Sequence, residues 1–317
     1  MTDLRSKSFS FRAISGIWIF LILSGIGIIS GAFSVFGAET ADVVDYRTFF
    51  GFDPRTTVWI IAELHLMFGA FVLGVPMFAV TVEYVGVLTK EERYDRLAKD
   101  FTRLLSASFA LTAALGGLLT FALFTLYPKV MTFMSGIFHE SFYIYAFFFF
   151  GETFVLYFYY YSWDRLKNRK GIHISAGVLL NIIGLIIMGI SNSWATYMMS
   201  PSGIDPGTMK FTGTLMDAIW NPLWNPLNLH RILGNAVFGG YVAGAYAAVK
   251  FLTAQTDEDR AHYDWMGYVG NFIAIVSLLF LPFAGYYLGR EVYSFSPIMG
   301  NNMMGGAFSW TFIIQAI

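Results

Sequence analysis

The sequence contains no cysteine among its 317 residues. That absence excludes disulfides, iron–sulfur clusters, thiolate metal sites and covalent attachment of a c-type haem through Cys-x-x-Cys-His. Charge is also scarce, because Asp, Glu, Lys and Arg make up 13% of the chain and the formal net charge at pH 7 is −1. A sparse and balanced charge is not typical of nucleic-acid binding, and no nucleic-acid partner is expected.

What the chain has in abundance is apolar surface. Hydrophobic residues make up 56% of it, and its mean hydropathy is +0.58. A water-soluble core cannot absorb that much apolar surface, whereas a bilayer can, with about 20 apolar residues for each spanning helix. The sequence therefore predicts an all-α, polytopic membrane helical bundle with about eight transmembrane helices. The predicted spans are 14–36, 58–88, 105–127, 139–161, 174–199, 229–253 and 267–288, and an eighth begins near 300.

The basic residues predict the orientation of these spans. With the N-terminus inside, 14 of the 20 Lys and Arg residues fall on inner segments and 6 on outer ones. The positive-inside rule therefore favours a cytoplasmic N-terminus. The first apolar run begins like a signal sequence, but at about 23 residues it exceeds the usual apolar core of one, so we interpret it as a retained anchor. A cleavage site near Gly37-Ala38-Glu39 is the alternative.

Three of the five histidines are predicted near the outer face. His65 lies early in the second span, and His139 and His230 open the fourth and sixth. Imidazole is the usual axial ligand of b-type haem, and facing helices of a bundle can supply it. The alternative is that these are interfacial histidines bonded to backbone carbonyls. His173 and His262 fall on inner connections and are expected to be solvated surface residues.

Two further residue types could take part in redox chemistry inside the membrane. Glu152 lies about 12 residues into the predicted fourth span, roughly 18 Å deep at ~1.5 Å per residue. A carboxyl there should be protonated or paired, and such groups serve proton relays. Glu83 lies near the inner surface, where we expect it to be solvated. Methionine is the other common haem ligand, and Met303 and Met304 open the last span at the outer face.

Several ordered motifs together are similar to subunit I of the cytochrome bd quinol oxidase family, from about residue 58 to 270. They are Gly151-Glu152-Thr153-Phe154, Ser162-Trp163-Asp164-Arg165-Leu166, Asn192-Ser193-Trp194, Asn225-Pro226-Leu227-Asn228-Leu229-His230 and Gly240-Tyr241-Val242-Ala243-Gly244-Ala245. The resemblance implies that His230 binds the iron of a low-spin b haem with Met303 or Met304 as the second ligand. It implies that His65 binds the iron of a second haem, and that Glu152 belongs to a proton pathway from the cytoplasm.

The chain departs from the family pattern in four places. Ile144 stands where the family has a second glutamate, and Glu140, one turn further out, is the candidate substitute. Only about ten residues stand where the family has its long outer quinol-binding loop, and an additional span precedes the family core. The helices that supply the third haem's ligand are also missing. The chain stops inside an apolar run, so we expect truncation or a partner that supplies further helices.

We therefore divide the chain into an extra helix and outer loop (1–57), a haem-binding helical core (58–288), and a short outer loop with the start of the last span (289–317). The resemblance implies a membrane b-type cytochrome in a quinol oxidoreductase complex of a prokaryotic cytoplasmic (inner) membrane. Electrons would pass from quinol through one or two b haems to O₂ or to a c-type cytochrome, and haem d is a further possible cofactor. Implied partners are a second membrane subunit, quinone, membrane lipid and c-type cytochrome or other redox subunits. The alternative is a haem-free scaffold or anchor subunit, or a transporter.

Overall fold

The computed structural model describes residue 48 and residues 51–304, with side chains as far as Asn302. The described part is mainly helical, and an isolated β-bridge joins Ile204 and Phe211. The helices are α1 (Pro54–Thr89), α2 (Glu92–Leu126), α3 (Pro128–Tyr161), α4 (Lys170–Met199), α5 (Leu215–Ile219), α6 (Trp224–Thr253), α7 (Asp257–Phe295) and α8 (Pro297–Met304).

Six of these helices, α1 to α4 with α6 and α7, are long and apolar enough to cross a membrane. They match the six spans predicted between 58 and 288, and the all-α membrane fold is confirmed. The predicted span 14–36 lies outside the described residues, and α8 covers the start of the eighth. The six helices have between 30 and 39 residues, or ~45–58 Å at ~1.5 Å per residue. They exceed a hydrocarbon core of ~30 Å, so they tilt or project from it.

The fourth span, predicted to open at His139, corresponds to the second part of α3. Non-helical backbone at Phe138 (φ −103°, ψ 15°) divides α3 into two helical segments, and the second runs from His139 to Tyr161. The first segment was not predicted and begins at Pro128; proline suits the first turn of a helix because its fixed φ is helical and its missing N–H is not needed there. Glu152 lies nine residues from the Tyr161 end of α3.

The chain divides into two compact units, and α1, α2 and α3 each contribute residues to both. Unit 1 contains residues up to Gly69 together with Ala107–Gly136, and unit 2 contains Ala70–Ser106 and the chain from Ile137 onward. In unit 1 a small apolar cluster joins α1 to α2, made of Ile61, Ala122 and Leu126 with Val58, Leu119 and Tyr127 around them.

Close backbone contacts between helices mark unit 2. A Cβ on Gly240 would lie 2.6 Å from the carbonyl oxygen of Gly270, so α6 and α7 touch at their backbones. A Cβ on Gly74 of α1 would lie 2.3 Å from the carbonyl oxygen of Asn235 in α6. Small residues at such crossings are the usual device for packing helices in lipid, where the hydrophobic effect does not drive them together.

One end of unit 2 is built from the α1–α2, α3–α4 and α6–α7 turns, and we call it the basic end. The ion pairs that tie its segments together are Lys99–Asp164 (2.9 Å), Arg96–Asp259 (2.5 Å), His262–Asp100 (2.8 Å) and Lys170–Asp95. The positive-inside rule predicts that this end faces the cytoplasm.

Candidate functional site

His230 lies in the second turn of α6, in unit 2. Its Nδ1 atom is buried and has no hydrogen-bond partner among the described residues. Gly285 of α7 faces the ring, and a Cβ there would lie 3.6 Å from Cε1. A buried polar atom without a partner is costly, and native structures rarely keep one without a functional reason. The imidazole can therefore accept a ligand that the protein itself does not supply.

The residue that follows, Arg231, sits in a network that joins α4 to α6. Its Nη1 donates to Asn192 Oδ1 at 2.5 Å. Asn192 Nδ2 in turn donates to Asn228 Oδ1 at 2.7 Å, and Asn228 Nδ2 donates to Trp224 O at 2.8 Å. Two sequence motifs, one at Asn192 and the other at Asn225–His230, thus meet in space. No carboxylate pairs with Arg231 within the described residues, so this guanidinium can receive an anionic group.

His65 lies in unit 1, on α1. Its Nδ1 is 3.1 Å from the backbone carbonyl oxygen of Thr112 in α2. A carbonyl can only accept, so Nδ1 carries the proton and Nε2 of the neutral ring has the lone pair, as a metal-binding imidazole requires. The ring fits closely against Gly116, where a Cβ would lie 2.9 Å from Cε1. The structure therefore holds this imidazole in one tautomer.

The other residues predicted for the haem sites lie on α3 and α8. His139 and Glu140 are exposed on α3, and the His139 ring packs edge-on against Tyr143 at 5.0 Å. Met303 and Met304 end α8, and their side chains lie outside the described part. Their predicted roles stay predictions.

Glu152 is buried in unit 2, with 5% of its surface exposed. Its Oε1 lies close to Gly184, where a Cβ would be 3.3 Å away. The carboxyl lines a cavity of about 10 Å³ together with Leu73, Asn181 and other residues of α1 and α4. That space is about what one water molecule needs. A carboxyl with room for one water beside it can receive and pass on a proton.

A largely buried polar cluster between Glu152 and the basic end was missed by the sequence analysis. Its members are Glu83 of α1, Asp95 of α2, Tyr159 of α3, Trp163, and Lys170 and His173 of α4. Glu83 accepts from Tyr159 Oη at 2.7 Å and from Lys170 Nζ at 2.9 Å, and its Oε1 is 2.7 Å from His173 Nδ1. Trp163 Nε1 donates to Asp95 at 3.1 Å. The only signal in the sequence was ionisable residues near span ends, which surface groups also show.

The predictions of solvated side chains at His173, His262 and Glu83 are wrong. His173 is 0%, Glu83 1% and His262 7% exposed. Each has a charged or polar partner from another helix, as in the 2.8 Å bond between His262 Nε2 and Asp100 Oδ2. These partners compensate for the loss of water, so the groups can be buried near the ends of the helices.

No group of three or more His, Asp or Glu side chains suited to a bare metal ion occurs within the residues that the structure describes. Single imidazoles on separate helices suit a haem, which brings four of its own iron ligands. The donor set at His65 and His230 therefore fits a haem better than an isolated ion.

The chain is similar to known proteins in sequence and in fold. A sequence model of the family described as cytochrome bd terminal oxidase subunit I matches residues 54–306. The "Putative cytochrome bd menaquinol oxidase subunit I" of Bacillus subtilis (strain 168) is 24% identical over 222 residues, covering 68% of this chain and 47% of that protein. The chain thus spans about half the length of this curated relative.

The fold also resembles a solved structure of the bd oxidase from Geobacillus thermodenitrificans. The TM-score is 0.67 at 20% identity, and the match covers 78% of this chain and 58% of that one. At that identity the likeness concerns the fold, which is a multi-pass membrane bundle. The family match covers most of the chain and includes all six long helices, so this protein belongs to the cytochrome bd terminal oxidase subunit I family.

Proposed function

We propose that this chain is a membrane b-type cytochrome in a bd-like quinol oxidoreductase complex. It would take electrons from quinol near the outer face and deliver them to O₂ or to a c-type cytochrome partner. The observation that carries the proposal is the buried, unpartnered Nδ1 of His230. A ring kept inside a membrane bundle without a protein partner is explained by a bound group that uses it.

His230 and His65 are the proposed axial ligands of two haems. The carbonyl of Thr112 fixes the tautomer of His65, and Met303 or Met304 remains the proposed second ligand for the haem at His230. When bound, b haem would supply a one-electron carrier between quinol and the acceptor. Haem d is the alternative to b haem at the second site. His139, which is exposed on α3, is the weakest candidate for a haem ligand.

Arg231 supports the same proposal through charge. A guanidinium inside a membrane helix normally requires an anion, and this one has only the neutral amide oxygen of Asn192 at 2.5 Å. A carboxylate carried by a cofactor, such as a haem propionate, would satisfy both the charge and the fork-shaped donor geometry. Asn192 and Asn228 would hold the guanidinium in position for it.

Glu152 is the proposed internal proton carrier. It is buried beside a water-sized cavity, and on α3 it is seven residues from Tyr159 of the polar cluster. Seven residues are two helical turns, ~10 Å along the axis. A proton entering at the basic end would pass this distance before reaching Glu152. Glu140 is exposed and is proposed only as an outer carboxylate.

The partner proposals rest on the family to which the chain belongs. A second membrane subunit and a c-type cytochrome or another redox subunit would complete the complex, and quinone would be the substrate. The predicted core, 58–288, would hold the haems, and the segments 1–57 and 289–317 would flank it. A prokaryotic cytoplasmic membrane is the proposed location.

Pyridine haemochrome analysis and a reduced-minus-oxidised spectrum of the purified complex test this function. We expect one or two b haems for each chain. His230→Ala should abolish the low-spin b signal, whereas Leu229→Ala, which alters the exposed neighbour, should leave it intact. An unchanged spectrum in His230→Ala would contradict the assignment. A colourless complex would instead support the haem-free scaffold or transporter.

A further inference from the structure

The segment Ser162–Leu166 follows the end of α3 at the basic end, and only some of its polar side chains are used within the fold. Trp163 Nε1 donates to Asp95 Oδ2 at 3.1 Å. Asp164 Oδ1 accepts from Lys99 Nζ at 2.9 Å. Arg165 is exposed, and no acidic residue in the described part forms an ion pair with it. Its charge is therefore available to a ligand.

The hydroxyl of Ser162 is also unused, although it is buried. The residue is 9% exposed, and Oγ has no hydrogen-bond partner among the described residues. Other hydroxyls on these helices satisfy themselves locally: Thr153 Oγ1 donates to Phe149 O and Ser175 Oγ to Gly171 O, both at 2.8 Å. Because Ser162 does not bond to its own helix in this way, its hydroxyl remains able to donate to a bound group.

Both side chains line one groove in unit 2. The groove has a volume of about 210 Å³ and is lined by Phe158, Tyr161, Ser162, Arg165 and Leu166. One water needs ~10–15 Å³ on the same measure, so the groove has room for a much larger group. Helical bonds continue through it, from Ser162 N to Phe158 O (2.9 Å) and from Leu166 N to Ser162 O (2.8 Å). Residues 158, 162, 165 and 166 therefore share one helical face.

The chemistry of the groove changes along that face. Most of the exposed lining is apolar, as at Phe158 and Leu166. Arg165, which is exposed, adds a positive charge, and the buried Ser162 hydroxyl lies in the same wall. Tyr161, stacked on Tyr157 at 6.0 Å, lies at the end of α3, where aromatic side chains mark the membrane–water boundary. Basic pockets at the cytoplasmic boundary suit the phosphate of an anionic lipid.

We propose that this groove binds an anionic phospholipid of the inner leaflet. Arg165 and the Ser162 hydroxyl would donate to the phosphate, and an acyl chain would lie along Phe158 and Leu166. The site is separate from the proposed haem ligands, so it stands whether or not the chain carries haem.

Native mass spectrometry of the full chain in its complex, delipidated in detergent and titrated with palmitoyl-oleoyl phosphatidylglycerol, tests the proposal. Arg165→Ala should weaken binding about tenfold or more, since charge-assisted hydrogen bonds are the strong ones. Ser162→Ala should weaken it several-fold and, because it only removes an unbonded hydroxyl, should fold normally. Lys167→Ala is the matched control: it removes a charge from the same turn but does not line the groove, and it should bind like the unaltered chain.

Two comparisons identify the source of the phosphate. Phosphatidylcholine with the same acyl chains should bind clearly more weakly, and inorganic phosphate should not displace the lipid. Equal binding of phosphatidylcholine, which carries the same phosphate, would overturn the preference for an anionic lipid, and displacement by inorganic phosphate would overturn the lipid as the ligand. Unchanged binding by Arg165→Ala would overturn the role of Arg165. A loss in Lys167→Ala as large as in Arg165→Ala would show diffuse surface charge instead of a site.

Discussion

His173 Nδ1 and Glu83 Oε1 lie 2.7 Å apart, and both side chains are fully buried. The other ring nitrogen, Nε2, lies 2.8 Å from the carbonyl oxygen of Tyr159. A carbonyl only accepts, so Nε2 carries a proton. The contact with Glu83 then needs a second proton, held either by the ring or by the carboxyl. The pair therefore shares one proton inside unit 2, with Lys170 and Tyr159 donating to the same carboxyl group.

Breaking this pair should destabilise the protein strongly. Glu83→Gln or His173→Ala should each lower the free energy of unfolding by about 3–5 kcal/mol, because each leaves a buried partner uncompensated. The double variant should lose less than the sum of the two. Equilibrium unfolding in mixed micelles measures all three. Glu91→Gln is the control: it removes the exposed ion pair with Arg93 (2.6 Å) and should lower the free energy of unfolding by less than ~1 kcal/mol. If the losses of the two single variants simply added up in the double variant of the buried pair, the coupling between Glu83 and His173 would be contradicted.

Two adjacent glycines of α2 should respond differently to alanine. A Cβ on Gly116 would lie 2.9 Å from His65 Cε1, while one on Gly117 meets nothing within 4 Å. Gly116→Ala should push the ring away from Thr112 and reduce the haem signal that depends on His65. Gly117→Ala should keep the spectrum and gain up to ~1 kcal/mol from better helix propensity. Visible spectra and thermal unfolding distinguish them, and identical spectra would argue against a ligand role for His65.

Substitutions of Glu152 and Glu140 should have different effects on quinol-driven turnover. If Glu152 carries protons internally, Glu152→Gln should slow quinol-driven turnover by about 10²-fold, which is typical of losing a positioned proton carrier. The haem spectrum should be retained, because Gln has nearly the same shape. Glu140→Gln alters an exposed carboxylate and should have a smaller effect. Equal rates for Glu152→Gln and the unaltered chain would remove Glu152 from the proton pathway.

Asp217 gives the loop before α6 a predictable response to pH. Its carboxylate accepts from Thr214 N at 2.7 Å and Thr214 Oγ1 at 2.8 Å, and these bonds lower its pKa below the ordinary 3.8. A lowered pKa means that the stabilisation is complete above pH ~3.8 and is lost as the pH falls through the lower folded-state value. Protection of the amides of residues 214–217 against hydrogen exchange, measured relative to the intrinsic exchange rate at each pH, should therefore fall only below that range.

The corresponding variant tests the origin of this response. Asp217→Asn should weaken the capping box and remove its acid dependence, since the amide cannot be protonated in that range. Asp257→Asn, at the start of α7, should leave exchange at 214–217 unchanged. If the unaltered chain already lost protection of these amides at neutral pH, the assignment to Asp217 would be contradicted.

The sequence predicted the six described spans because each residue makes its own contribution to the free energy of transfer into lipid, and these contributions can be summed along the chain. Each span was found within about 13 residues at either end. The largest differences are at the starts of α2, which begins at Glu92 instead of near residue 105, and of α3, which begins at Pro128 where a loop was expected. The motifs around Asn192 and His230 were also visible in the sequence. Their meeting through the bond from Asn192 to Asn228 was not, because those residues are 36 positions apart.

Spanning helices and the family's ordered motifs were thus determined by the sequence alone, since hydropathy and motif spacing are local properties. Tertiary structure decided which polar groups are buried and with what partner. Glu83 meets Tyr159 from 76 positions away and His173 from 90, and only the packing of α1 against α3 and α4 removes water from all three. The same packing leaves His230 Nδ1 and Ser162 Oγ without partners among the described residues, because burial depends on neighbours that the local sequence does not contain.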